Sequence, residues 1–291
     1  MRILGTIFAG LLGLCFGSFL NVCLSRWPAG ESVVKPSSHC RQCGRTLAWW
    51  ENVPLVSWLA LRGRCRSCKS WIGWRYPLVE FSVGALWAIA VWKMMDPREF
   101  LDVPSERPPV VVISAFLKLL FYWLLVALAA LDLENLWLPD WLTFPGIVLG
   151  FALGSFLEYL NEKELKIGLG WEAAALLSLI EILAAAGLIL LIRWVYWLVR
   201  RREGIGLGDA KLMALLAAWL GLPGALLAFV LGVILGAVAA LVALALPTAR
   251  RSAEGWAAIK LPLGTFLCIG GIVSSLWGSS LLETYYRWAG F

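Results

Sequence analysis

Apolar residues run along this chain in long blocks, and polar residues gather between them. A helix needs roughly 20 apolar residues to cross a bilayer. Eight blocks approach or meet that length: 3–24, 78–95, 109–131, 141–157, 174–198, 210–221, 223–247 and 261–279. The sixth is short, and only "GLPG" separates it from the seventh, so these two predict a tight helical hairpin. The pattern predicts an all-α polytopic membrane protein of about eight transmembrane helices, with a small domain between helices 1 and 2. Four segments follow: 1–24, the first transmembrane helix; 25–77, the small domain; 78–108, the second helix and an outer loop; and 109–291, the main membrane domain.

Composition agrees. The chain is 60% hydrophobic and only 15% charged, with a mean hydropathy of +0.79. A soluble domain sits near about 45–50% apolar. The 18 tryptophans suit aromatic belts at the bilayer surface. The first 24 residues form too long an apolar run for a signal peptide and lack an A-x-A site, so a retained anchor is expected. Neither an internal repeat nor a low-complexity run stands out.

Loop charge sets the expected orientation. Residues 25–77 hold nine basic residues against Glu31 and Glu51, a surplus of seven, and so belong in the cytoplasm. "DPREFLDVPSERPP" and "EYLNEKELKIG" then fall outside; "DLENLWLPD", "RRREGIGLGDAK" and "TARRSAEGWAAIK" fall inside. The net charge of +6 is read as this positive-inside signal, not as a nucleic-acid surface. The expected surface partner is the lipid bilayer, its anionic inner leaflet facing the basic loop. One consequence is geometric. Asp132 ends the third helix and Asp209 opens the sixth, 77 positions later, and both fall on the cytoplasmic side.

Of seven cysteines, Cys15, Cys23 and Cys268 lie on membrane helices and read as small apolar packing. The other four form "CRQC" and "CRSC": Cys40, Cys43, Cys65 and Cys68, with 21 residues between the pairs. Paired C-x-x-C motifs suit tetrahedral Zn²⁺, and four thiolates close its coordination sphere, which makes the metal structural. The competing reading is four free or redox-active thiols; a reducing cytoplasm argues against resting disulfides. A loop of 53 residues is too short for a large core, and a metal staple explains how it folds. His39 is the only histidine and is read as a neighbour of the cluster, so a Ser-His-Asp or Cys-His triad is not the natural mechanism.

Two carboxylates held close cannot easily both ionise. The charged one activates water while the protonated one polarises a carbonyl, which is aspartyl peptide hydrolysis. Asp132 and Asp209 are the candidates. Gly206 and Gly208, in "GLGD", leave room for a substrate backbone beside the acid. The plain alternative is two ordinary helix-end acids, Asp209 favoured by its helix dipole. Asp140 reads as an N-cap before "WLTF". Deep in the membrane, Lys118 and Glu181 are expected to pair; neutralising both should then harm the protein far less than neutralising either.

Four stretches together resemble the bacterial type IV prepilin peptidases, membrane aspartyl proteases of the G-x-G-D kind. They are "GSFLNVCLSRWP" (Gly17–Pro28), the cysteine segment Cys40–Glu80, "LDLENLWLPDWLTFPG" (Leu131–Gly146) and "GIGLGDAK" (Gly204–Lys211). The resemblance implies two steps at the cytoplasmic face of the bacterial inner membrane. A basic leader is cleaved from prepilins or pseudopilins, and the new N-terminal amine is methylated from S-adenosylmethionine. It also implies Asp132 and Asp209 as the proteolytic pair, zinc on the four cysteines, and methyl transfer near Gly73, with Arg75 and Glu80 as neighbours. The chain departs from the family before its last helix, where "PLGT" (Pro262–Thr265) replaces a Pro-Phe-Gly-Pro-like turn. Two other readings stand beside this one. One is a peptidase without methyl transfer. The other is a non-enzymatic transporter or assembly factor whose aspartates bind cations.

Overall fold

A computed structural model describes residues 2–96, 108–164, 170–201, 206–245 and 261–290. Its long helices are α1 (Arg2–Arg26), α3 (Arg75–Met94), α4 (Pro108–Asn135), α5 (Asp140–Glu164), α6 (Trp171–Arg200), α7 (Leu207–Ala245) and α8 (Leu263–Ala289); α2 (Val56–Ala60) is a single short turn between α1 and α3. The described residues contain no named strand. The chain divides into two units, residues 1–130 and 131–291. Parts of four connections used to assign orientation, 97–107, 165–169, 202–205 and 246–260, lie outside the described residues, whereas 25–77 and 132–140 are described throughout.

In the first unit α1 and α3 run antiparallel. Gly13 lies against Gly84, and Gly17 lies against Glu80, where an added Cβ would meet the Glu80 Cα at 2.7 Å. With no side chain at Gly17 the backbones approach closely, the small-residue packing that joins membrane helices where burial alone gives no drive. The far ends are clipped by Arg2, which pairs with Asp96 at 2.9 Å and lies over the Trp92 ring.

Seven described helices are long and apolar enough to cross a membrane, against eight expected segments. The difference is α7, whose 39 residues contain a non-helical Gly221 (φ 68°, ψ 172°) followed by Pro223. At 1.5 Å per residue an unbroken α7 would reach about 58 Å, twice a bilayer core. Its contacts show a reversal. The start of α7 lies by Leu138, which also touches Gly264 at the start of α8. Beyond the break, Gly224 meets Ser274, Gly232 meets Leu267 and Gly236 meets Phe266, so the second arm returns toward the same end of α8. The "GLPG" hairpin is therefore present, its φ > 0 turn residue a glycine as backbone sterics require.

Glu181 of α6 sits at that turn. Its Oε2 accepts a hydrogen bond from the Leu222 N–H at 3.2 Å, a group that the helix break would otherwise leave unsatisfied. Glu181→Gln keeps an acceptor there and should unfold near the wild-type temperature in detergent. Glu181→Leu should lose on the order of 1–3 kcal/mol. Equal melting of the two variants would show that the acceptor is not needed.

Candidate active site

Asp132 lies in the last turn of α4 and Asp209 in the first turn of α7, and each is buried to within a tenth of its surface. Leu138 lies against both Gly208, the neighbour of Asp209, and Gly264, whose Cβ position stands 2.9 Å from Asp132 Oδ2. The structure thus brings together, within one unit, the two acids singled out by sequence. Asp132 Oδ2 accepts from the Thr265 N–H at 2.7 Å and from the Thr265 hydroxyl at 3.3 Å. Asp209 Oδ2 accepts from the Gly206 N–H at 3.1 Å.

The glycines have distinct surroundings. A Cβ on Gly206 would stand 3.4 Å from the Asp209 carboxylate itself, whereas one on Gly208 would press on Leu138 at 3.1 Å. Gly208 also borders a cavity of about 510 Å³ lined by Leu136, Trp137, Leu138, Asp140 and Lys211. Asp140 corrects the sequence reading. The Pro139 carbonyl accepts the first helical N–H bonds of α5, from Leu142 and Thr143, so Asp140 stands one residue inside the helix and is not its N-cap. Its carboxylate instead takes the ammonium of Lys211, across the cavity. Lys211 falls inside the "GIGLGDAK" stretch but carries no role in the sequence analysis, and neither do Gly264 and Thr265. The one signal for the last two is the "PLGT" turn, where the chain departs from the family's pattern.

The four cysteine sulfurs lie within 4.8 Å of one another, with Cys40 and Cys68 Sγ 3.7 Å apart. Tetrahedral zinc with Zn–S bonds of about 2.3 Å places its sulfurs about 3.8 Å apart. Both C-x-x-C stretches fold into matching knuckles. The Gly44 N–H bonds the Cys40 carbonyl and the Lys69 N–H bonds the Cys65 carbonyl; isolated bridges His39–Thr46 and Arg64–Trp71 close them. The Cys43 backbone N–H, helped by that of Gln42, lowers the Cys40 thiol to about 6, so a thiolate forms readily there. His39 Nδ1 faces the Ser37 carbonyl at 3.0 Å. The site fits zinc on four thiolates.

Gly73, Arg75 and Glu80 lie in one stretch at the head of α3 but face different things. Gly73 opens onto space: a Cβ there would meet no neighbouring atom within 4 Å. The Arg75 guanidinium lies 4.8 Å from the centre of the Tyr76 ring. Glu80 is buried and accepts from the Leu55 N–H at 2.8 Å, tying α3 to the loop.

These features define a polytopic membrane protein with two buried acids meeting at one end of its helices and a separate four-thiolate knuckle domain. Residues 11–94 match the model of the bacterial peptidase A24 N-terminal domain, and residues 119–241 match that of the type IV leader peptidase family. The prepilin leader peptidase/N-methyltransferase of Pseudomonas aeruginosa is 33% identical over 304 residues, covering 97% of this chain and 93% of that protein. The one from Xanthomonas campestris is also 33% identical, over 99% of this chain and 96% of its own length. That of Myxococcus xanthus is 39% identical over 226 residues, 76% of this chain and 58% of that protein. No solved structure matches. The chain belongs to the type IV leader peptidase family.

Proposed function

We propose that this protein cleaves the leader peptide from prepilins or pseudopilins at the cytoplasmic face of the bacterial inner membrane, then methylates the new N-terminal amine. The observation that carries the reading is that Asp132 and Asp209, two buried acids from separate helices, flank the same Leu138–Gly264 contact, in a chain whose only histidine is His39. One ionised carboxylate removes a proton from water, and its protonated partner donates to the scissile carbonyl, as in aspartic proteases. Gly206 and Gly208 keep side chains away from the approach to Asp209. The cavity beside Gly208, walled by Leu136, Trp137 and Leu138, takes the substrate segment next to the cleaved bond. The apolar part of a prepilin stays in lipid while its leader reaches this rim.

Cys40, Cys43, Cys65 and Cys68 hold one structural zinc. When bound, S-adenosylmethionine supplies an electrophilic methyl on a sulfonium cation. The chain's contribution is the open backbone at Gly73, flanked by the exposed indoles of Trp71 and Trp74, whose faces attract a cation. Arg75 and Glu80 frame that stretch, Glu80 by fixing α3 to Leu55.

Purified protein incubated with a prepilin should release the leader, read by mass. Adding S-adenosylmethionine should then add one methyl to the mature chain. Leader loss without methyl gain would leave a peptidase alone; no leader loss would overturn the reading.

A further inference from the structure

The two acids are held differently, and this rests on the peptidase reading above. Asp132 Oδ2 lies on the first turn of α8, where it takes the Thr265 N–H and hydroxyl. Asp209 has one described donor, the Gly206 N–H. Donors aimed at a carboxylate favour its charged form. Asp132 meets the start of α8 and Asp209 lies in the first turn of α7, so both face a helix N-terminus and the donors alone tell them apart. Gly264 keeps this seat open. An added Cβ would stand 2.9 Å from Asp132 Oδ2 and 3.0 Å from its Cγ.

We propose that Asp132 is the ionised, water-activating acid, that Asp209 carries the proton of the pair, and that Thr265 and Gly264 are the positioning residues that impose this division. The water oxygen bonds the scissile carbon as Asp132 takes one water proton, and Asp209 gives its proton to the carbonyl oxygen. The C–N bond then breaks, the amine leaves with the proton from Asp132, and the diol returns one to Asp209. Among the described residues, the Asp140–Lys211 pair borders the cavity beside Gly208, and buried Cys268 lies one turn beyond Gly264 on α8.

The test is the pH profile of prepilin cleavage by the full-length protein. Thr265→Val keeps the side-chain shape and removes the hydroxyl donor. Less stabilised charge on Asp132 means that a higher pH is needed to ionise it. The acidic limb of kcat/KM should move up by about half a pH unit, the low end of one net hydrogen bond, as fits a 3.3 Å contact, with an unmoved alkaline limb. Below that limb, cleavage falls about threefold at fixed pH. Thr265→Ser should restore the wild-type profile, which a merely structural lesion would not predict. Thr265→Ala gives the same reading should the valine variant fail to accumulate. Gly264→Ala, which crowds the carboxylate directly, should lower kcat at least tenfold with KM nearly unchanged. A Thr265→Val profile that superposes on wild type, or that moves only on its alkaline limb, overturns the assignment, and so does a serine variant that fails to restore it. Wild-type protein that cleaves nothing at any pH refutes instead the peptidase reading.

Discussion

Asp132→Asn and Asp209→Asn should each remove leader cleavage, by on the order of 10⁴-fold, the upper end of what positioned proton transfer supplies. The double variant should be no worse than either single one. A pair that shares one proton works as a unit, so losing one member already removes the mechanism. Asparagine matches aspartate in shape, and its amide oxygen still accepts from the Thr265 or Gly206 N–H, so the helices should stay in place. Both variants should melt in detergent at or above the wild-type temperature. Two buried carboxylates repel each other and are costly to desolvate, and either substitution relieves that. Methylation of a pilin that already lacks its leader should persist in both, since the Gly73 stretch lies in the other unit. Mass spectrometry separates the two products. Substantial cleavage by either variant, beyond about a tenth of wild type, would remove its acid from the mechanism.

The helices were legible because a bilayer leaves the backbone no partner but itself, so spanning segments must be apolar and long. Their ends were read short. Asn135, Glu164, Arg200 and Arg287 are helical, but such residues end an apolar run at the lipid boundary. The acids were legible because a carboxylate beside an apolar block is expensive and invites a reason. What fixes Asp132 was not. Thr265 acts largely through a backbone N–H, which every residue but proline possesses, and it lies 133 positions away. The turn that carries it was judged by its departure from a motif, while the property in use is a helix start free of bulk at Gly264. Asp140 was misread for a related reason. An acid at a helix start usually caps it, and only the fold shows Lys211 reaching across from another helix to claim the carboxylate.

Stripping the zinc should unfold residues 25–77 while leaving the membrane helices intact. Between Trp27 and Trp74 only Glu51, Gly63 and Cys65 are buried, so this segment has no hydrophobic core to fall back on. Its largest aromatic contact, Trp58 against Trp71 and Trp74, leaves the last two rings more than half exposed. What remains is a short polar network, in which Glu51 takes Arg45 at 2.6 Å and the Ala48 N–H at 2.8 Å. Such bonds contribute about 1–3 kcal/mol each. Structural zinc contributes about 10–16 kcal/mol in comparable small folds, so a zinc held by these four thiolates would supply most of this segment's stability. Metal analysis should find one zinc per chain. Cys65→Ser, at the buried ligand, should lose it more completely than Cys43→Ser, at an exposed one. In the stripped protein, proteases should cut within 25–77 and spare the membrane core, and methyl transfer should fail with the fold of its site. Leader cleavage should continue, because Asp132, Asp209, Gly264 and Thr265 all belong to the second unit. Protease resistance that survives complete metal removal would mean that the knuckles hold themselves, and the four thiols would then need another explanation.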